Sequence, residues 1–130
     1  MSETKKVLVI DDEIVLLDLL SSKISQNGFF VIEAHDGDEG LQKALAEHPD
    51  LVLLDIIMPK MDGITMLKKL REDPWGKTAR VIILSNLNTA EAVEKSLANG
   101  AYDYLVKIDY TLDDLVRIVK KRLEKKRDSR

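Results

Sequence analysis

Five short apolar runs rich in β-favouring residues recur along the chain, at residues 7–10 (VLVI), 29–32 (FFVI), 51–54 (LVLL), 81–84 (VIIL) and 104–106 (YLV). Four of the five are almost continuously apolar rather than alternating, which suits strands covered on both faces, as in a parallel sheet. Between them the apolar positions change to helical spacing. Ile14, Leu17, Leu20 and Ile24 mark a first helix, Leu41, Ala44 and Leu45 a second, and Met66, Leu67 and Leu70 a third. Ala90, Val93 and Leu97 mark a fourth, and Leu115, Ile118, Val119 and Leu123 a fifth. Stop signals fall where these readings need them: Asn27-Gly28, His48-Pro49-Asp50, Asp73-Pro74 and Asn99-Gly100. Strand and helix alternate five times. That order predicts an α/β fold, a five-stranded doubly wound parallel sheet flanked by five helices.

Length and composition narrow this further. At 130 residues, with no internal repeat or linker, the chain is expected to form one domain, with a core over about 5–123 and a basic tail at 124–130. There is no cysteine, so disulfides, zinc-thiolate sites, iron–sulfur ligation and cysteine nucleophiles are excluded. No apolar run approaches a membrane span, and residues 1–6 are too polar to open a secretory signal, so a cytoplasmic location and no membrane partner are expected. The net charge of -3 hides an asymmetry. Residues 117–130 hold eight basic side chains against two acidic ones. A basic tail can touch nucleic acid or acidic lipid. Cations at a helix C-terminus also suit its dipole, and that plainer reading is preferred, with no direct nucleic-acid binding.

Open parallel sheets bind ligands at the carboxyl ends of their strands, near the point where strand order reverses. Asp11, Asp12 and Glu13 follow the first strand, Asp55 the third, Ser85 the fourth and Lys107 the fifth. Carboxylates, a hydroxyl and an ammonium thus converge on one edge. Clustered carboxylates repel, so they need a cation or raised pKa values. Oxygen-only ligands with no His or Cys nearby point to a hard ion, and Mg²⁺ fits best because it binds few carboxylates and keeps waters and phosphate oxygens. Such an ion would favour phosphoryl chemistry at Asp55, with Lys107 and Ser85 as donors to phosphate oxygens.

Each residue also has a plain structural role to weigh. Asp12 could cap the first helix, Asp55 could start the turn into Met58-Pro59 and Asp62-Gly63, Ser85 could cap a turn, and Lys107 could be a solvated surface lysine. Their joint arrival at the same strand ends favours a site.

Three blocks carry a resemblance over residues 5 to about 123: VLVIDDE at 7–13, LLDIIMPKMDG at 53–63, and GAYDYLVK at 100–107. They resemble the receiver domain of bacterial two-component response regulators, of the single-domain, chemotaxis-regulator-like kind. The resemblance implies the flavodoxin-like receiver fold and a phosphoprotein of signal transduction rather than an enzyme. It implies that Asp55 accepts a phosphoryl group from a histidine kinase or histidine phosphotransfer protein. Asp11, Asp12 and Asp55, with the backbone carbonyl of Ile57, would hold Mg²⁺. Lys107 would bind the phosphoryl group, and Ser85 and Tyr104 would act as switch residues. The face from the fourth helix through the last strand to the fifth helix would bind a downstream target or form a homodimer. Resetting such a switch from 1:99 to 99:1 needs roughly 5.5 kcal/mol, a range that two charge-assisted hydrogen bonds, from Ser85 and Lys107, can reach.

Two positions depart from the pattern. Ile108 stands where the family usually has proline after its lysine, so a trans bond is expected there and the path of Lys107 is open. Ile57 and Leu87 replace polar side chains that often flank the phosphoryl group, which predicts slow self-dephosphorylation. Rival readings are a Mg²⁺-dependent aspartyl-nucleophile phosphatase, an unphosphorylated receiver-like adaptor and a nucleotide-binding flavodoxin relative. The first would want a second Asp where Ile57 stands. The second would have lost a site residue. The third would want a Gly-rich loop where Asp11-Asp12-Glu13 stands.

Overall fold

The computed structural model describes residues 4–125, so tail residues 126–130 lie outside the described residues. Five parallel strands form one sheet in the order β2-β1-β3-β4-β5. The strands are β1 (Lys6–Ile10), β2 (Phe30–Ala34), β3 (Leu51–Leu54), β4 (Val81–Ser85) and β5 (Asp103–Val106). The helices are α1 (Ile14–Gln26), α2 (Gly37–Glu47), α3 (Gly63–Arg71), α4 (Ala90–Ala98) and α5 (Leu112–Lys125). Short 3₁₀ turns at Gly76–Thr78 and Lys107–Asp109 complete the connections.

The period-two geometry of strands explains why runs that read as uniformly apolar are needed. Leu8, Ile10, Val52, Leu54, Val81 and Ile83 face one layer with Ala44, Met66, Leu67, Leu70 and Ala92, the side of α2, α3 and α4. Val7, Val9, Leu51, Leu53, Ile82, Leu84 and Leu105 face the other, packed on Leu17, Leu20, Ile24, Leu115, Val119 and Leu123 from α1 and α5. Both faces of β1, β3 and β4 are therefore dry, as a parallel sheet requires. Edge strand β2 is only partly covered and begins at Phe30, which is exposed, rather than at Phe29.

Helix termini follow local chemistry. Asp36, Asp62 and Thr89 accept the N–H groups of Glu39, Thr65 and Ala92, capping α2, α3 and α4. Gly28 (φ 93°) and Gly100 (φ 83°) take the left-handed conformation that closes α1 and α4. The expected stop at Asp73-Pro74 comes slightly late, since α3 ends at Arg71.

Two readings of helix faces need correction. Ile14 is exposed, and α1 buries Leu17, Leu20, Ser21 and Ile24 instead. In α4 the buried positions are Ala92 and Ser96, while Ala90 and Leu97 point to solvent. Small residues let α4 lie close to the sheet, and a search for large apolar side chains misses that face. Asp12 does not cap α1 either, because Glu13 takes the N-cap position without a side-chain bond. Among the described residues no helix is long and apolar enough to cross a membrane.

Candidate functional site

Strand order reverses at β1 and β3, and the side chains just beyond these strands meet there. Asp11 N–H donates to the Ala34 carbonyl (3.1 Å) and Asp55 N–H to the Ile10 carbonyl (3.0 Å), so both acids continue the sheet ladder before the chain leaves it. That backbone pairing fixes the origin of each carboxylate. The carboxylate oxygens of Asp11, Asp12 and Asp55 come within 4.8 Å of one another. Asp11 and Asp55 are 5% and 7% exposed, whereas Asp12 sits on the rim.

Lys107 is the cation of the cluster. Its side chain is 9% exposed and its Nζ lies 2.8 Å from Asp11 Oδ2, 2.7 Å from Glu13 Oε1 and 3.0 Å from Asp55 Oδ2. The solvated-lysine reading is therefore wrong. The 3₁₀ turn at Lys107–Asp109 delivers the ammonium with no cis peptide bond among the described residues, so Ile108 does not divert it.

Electrostatics agree with this packing. Burial pushes the Asp11 carboxyl above its ordinary range, against the bonds from Lys107 and the Glu13 N–H (2.9 Å), and the Asp55 charge adds to the rise. Burial works to lower Lys107, but the hydrogen bonds it donates to Asp11, Glu13 and Asp55 outweigh it and hold the ammonium well above its ordinary value. One ammonium faces three carboxylates besides Asp12, so the site keeps excess negative charge.

Asp55, Ser85 and Lys107 line one opening of about 250 Å³, with Asp12, Glu13, Ile57, Asn86 and Leu87. A larger cleft of about 480 Å³ lies between α3 and α4, lined by Ile56, Ile64, Leu87 and Ala92 among others, but none of the clustered acids reaches it. Chemistry, not volume, identifies the smaller opening. Ser85 Oγ is buried and accepts the Leu87 N–H at 3.3 Å, so it does shape a turn while facing the opening. Asp55 Oδ1 likewise accepts the Ile56 N–H at 2.7 Å, which leaves Oδ2 toward Lys107. Ile57 lines the opening, and among the described residues its carbonyl accepts no backbone hydrogen bond. Tyr104 stands back from it: its hydroxyl donates to the Leu87 carbonyl, and burial followed by the Asp55 charge raises its pKa.

Two contacts of the site were not apparent from sequence. Glu13 reads as one of the acids after the first strand and as a first-turn acid of α1, and the structure makes it the third partner of Lys107. Asn86 reads as loop, yet its Oδ1 accepts the Ile108 N–H at 3.0 Å across 22 residues. Glu13's position beside the acidic pair is a signal that could have found it; nothing local marks Asn86.

The donor set suits a small hard cation. Three carboxylates could supply oxygen ligands without nitrogen or sulfur, and the opening leaves room for water and phosphate oxygens. Lys107 already spans Asp11 and Asp55, where a divalent ion would share its charge-balancing role.

The family model of the response regulator receiver domain matches residues 7–120. The chain belongs to the response regulator receiver domain family. CheY, the chemotaxis protein of Treponema pallidum (strain Nichols), is 43% identical over 105 residues, 78% of this chain and 72% of that protein. The alkaline phosphatase synthesis transcriptional regulatory protein PhoP of Bacillus subtilis (strain 168) is 40% identical over 103 residues, 79% of this chain and 42% of that protein. A CheY-like response regulator receiver domain protein from Methanospirillum hungatei JF-1 superposes with a TM-score of 0.89 at 27% identity, covering 98% of this chain and 100% of that one. This receiver domain thus spans about two-fifths of the length of several curated relatives. As a receiver domain of two-component response regulators, it is a signalling domain rather than a conventional enzyme.

Proposed function

We propose that this domain, alone or within a longer regulator, takes a phosphoryl group onto Asp55 from a phosphohistidine of a kinase or phosphotransfer protein, and works in the cytoplasm. The observation that carries this reading is the buried Asp55 carboxylate held 3.0 Å from the Lys107 ammonium beside two further aspartates. In the transfer, an Asp55 oxygen attacks phosphorus, the P–N bond to the donor histidine breaks, and that nitrogen keeps the electron pair and takes up a proton. Lys107 stands where it can shift from carboxylate to phosphoryl oxygen, a charge-assisted bond. Asp11, Asp12, Asp55 and the Ile57 carbonyl are the groups that would hold Mg²⁺, and the ion's contribution there is to offset charge between the carboxylates and the phosphoryl oxygens.

The route outward follows two bonds. Ser85 Oγ now accepts the Leu87 N–H, and the Leu87 carbonyl accepts the Tyr104 hydroxyl. A Ser85 hydroxyl drawn toward the phosphoryl oxygen releases Leu87, and Tyr104 and the face of α4, β5 and α5 respond. A downstream protein or a second copy is the reader of that face. Ile57 lines the opening and is exposed, and Ile14 and Ile108, next in sequence to Glu13 and Lys107, are exposed as well, so apolar side chains are available where a protein donor would seat. Ile57 and Leu87 offer no polar group to orient a hydrolytic water, so the phosphorylated form is long-lived.

Incubation of the protein with acetyl phosphate and Mg²⁺, read by intact mass and peptide mapping, tests the core of this reading. Wild type should gain one phosphoryl group on Asp55, and D55N none. A gain in D55N, or no gain in wild type with the metal present, refutes it.

A further inference from the structure

Lys107 is a long flexible side chain whose ammonium must stop within about 3 Å of Asp55, and such reach depends on how firmly its backbone is anchored. On one side β5 anchors it, through Val106 paired with Ser85. On the other side the chain turns at once into a single 3₁₀ turn, Lys107–Asp109, closed by one bond from the Tyr110 N–H to the Lys107 carbonyl (3.2 Å). Ile108 adds no packing, since its side chain projects into solvent. What ties the turn is the Ile108 N–H, which donates to Asn86 Oδ1 at 3.0 Å.

The anchor on the opposite side is itself fixed. Asn86 directly follows Ser85, the last residue of β4, and Leu87 is bonded on both sides of its peptide, to Ser85 Oγ and to the Tyr104 hydroxyl. Asn86 also lines the opening that holds Asp55 and Lys107. The bond exists because residue 108 has an N–H; a proline there would have none to donate.

We infer that Asn86 is a positioning residue: its side-chain carbonyl holds the Lys107–Asp109 turn and thereby aims the Lys107 ammonium at the Asp55 carboxylate. The inference rests on the phosphoacceptor reading of Asp55. Loss of one such bond lets the turn drift, and small misplacements of a catalytic group slow a reaction well beyond the strength of the bond itself. For N86A, a fall in the rate of phosphorylation on the order of 3- to 10-fold is expected.

The test combines rate and spectroscopy on the full chain. Phosphorylation by acetyl phosphate with Mg²⁺ is followed for wild type, N86A, K107A and the double variant N86A/K107A, and amide exchange at Ile108 is followed by NMR. Circular dichroism checks that each variant is folded. The inference expects N86A to lose protection at Ile108 and to react several-fold more slowly, and expects the double variant to match K107A, because Asn86 acts through Lys107. N86A reacting at the wild-type rate overturns it, and so does a double variant slowed below K107A by the same factor that separates N86A from wild type. If wild type accepts no phosphoryl group, the proposed function has failed, and exchange alone then decides on the anchor: an Ile108 amide equally protected in N86A overturns it, and lost protection upholds it.

Discussion

Replacing Lys107 by methionine isolates the electrostatic cost of the acid cluster. The substitution keeps most of the stem and removes the ammonium. Three contacts between 2.7 and 3.0 Å disappear, and Asp11 and Asp55 are left facing each other with almost no solvent. Removing one partner of a fully buried ion pair typically costs about 3–5 kcal/mol, chiefly because the other charge is left uncompensated. Here the opening of about 250 Å³ admits water and Glu13 stays largely exposed. Both features bring the cost below that range, and K107M should lose about 2–3 kcal/mol without divalent ions. Urea denaturation in EDTA at pH 7 measures it.

Two controls give that number its meaning. Adding D55N to K107M removes one of the opposed charges, so part of the loss should return. Acidification should also shrink it. The Asp11 pKa is already raised by burial, and losing the neighbouring cation raises it further. A carboxyl whose folded pKa exceeds its unfolded one contributes stability as pH falls through the folded value. The gap between K107M and wild type should therefore narrow from pH 8 toward pH 5. A loss under 0.5 kcal/mol in EDTA, or a gap that widens on acidification, would refute the claim that the ammonium balances buried carboxylates (roughly the level at which an exposed pair contributes).

Three further outcomes follow from other parts of the fold. Arg71 donates to the carbonyls of Asn99 (2.9 Å), Gly76 (2.7 Å), Ala79 (2.7 Å) and Gly100 (2.8 Å), a fork that lysine cannot reproduce, so R71K should cost about 2–4 kcal/mol in urea titration, and a cost under 1 would show the fork to be dispensable. An added Cβ at Gly63 would lie 2.1 Å from the Asp55 carbonyl oxygen, so G63A should destabilise by roughly 1–3 kcal/mol and slow phosphorylation of the molecules that remain folded; an unchanged rate would show that the acceptor tolerates displacement. The His35 N–H (2.7 Å) and then the Lys43 ammonium (2.9 Å) hold the Glu39 carboxyl down to about 2. Its contribution is complete above the unfolded value near 4.5 and fades as pH falls toward 2, so E39Q should flatten that acid limb of the stability curve, and an identical limb in both proteins would refute the assignment.

Most of the fold was legible because it rests on patterns that repeat. Five apolar runs separated by helical spacing admit few arrangements, and burial on both faces of β1, β3 and β4 is what their unbroken apolarity announces. Misreadings came where side-chain size and burial part company. Ile14 is large and exposed because it opens α1 beside the acid cluster, while Ser96 is small and buried because α4 packs close to the sheet. Apolar size is a proxy for burial, and it fails at a functional rim and at a tight helix–sheet contact.

The site was legible for a different reason. Its acids lie one or two positions beyond strand ends, so knowing where β1 and β3 stop places Asp11 and Asp55 without knowing any loop. Asn86 escapes that logic, since its partner is set by where the Lys107–Asp109 turn comes to rest, and nothing within several residues of Asn86 encodes it. Strand ends inherit the order of the sheet, whereas loop-to-loop bonds depend on two segments arriving together. This division also suits a switch: Asp11 and Asp55 are held by ladder bonds that should not move, while the Asn86 side chain and the Tyr104 hydroxyl are each held by one bond that costs little to exchange.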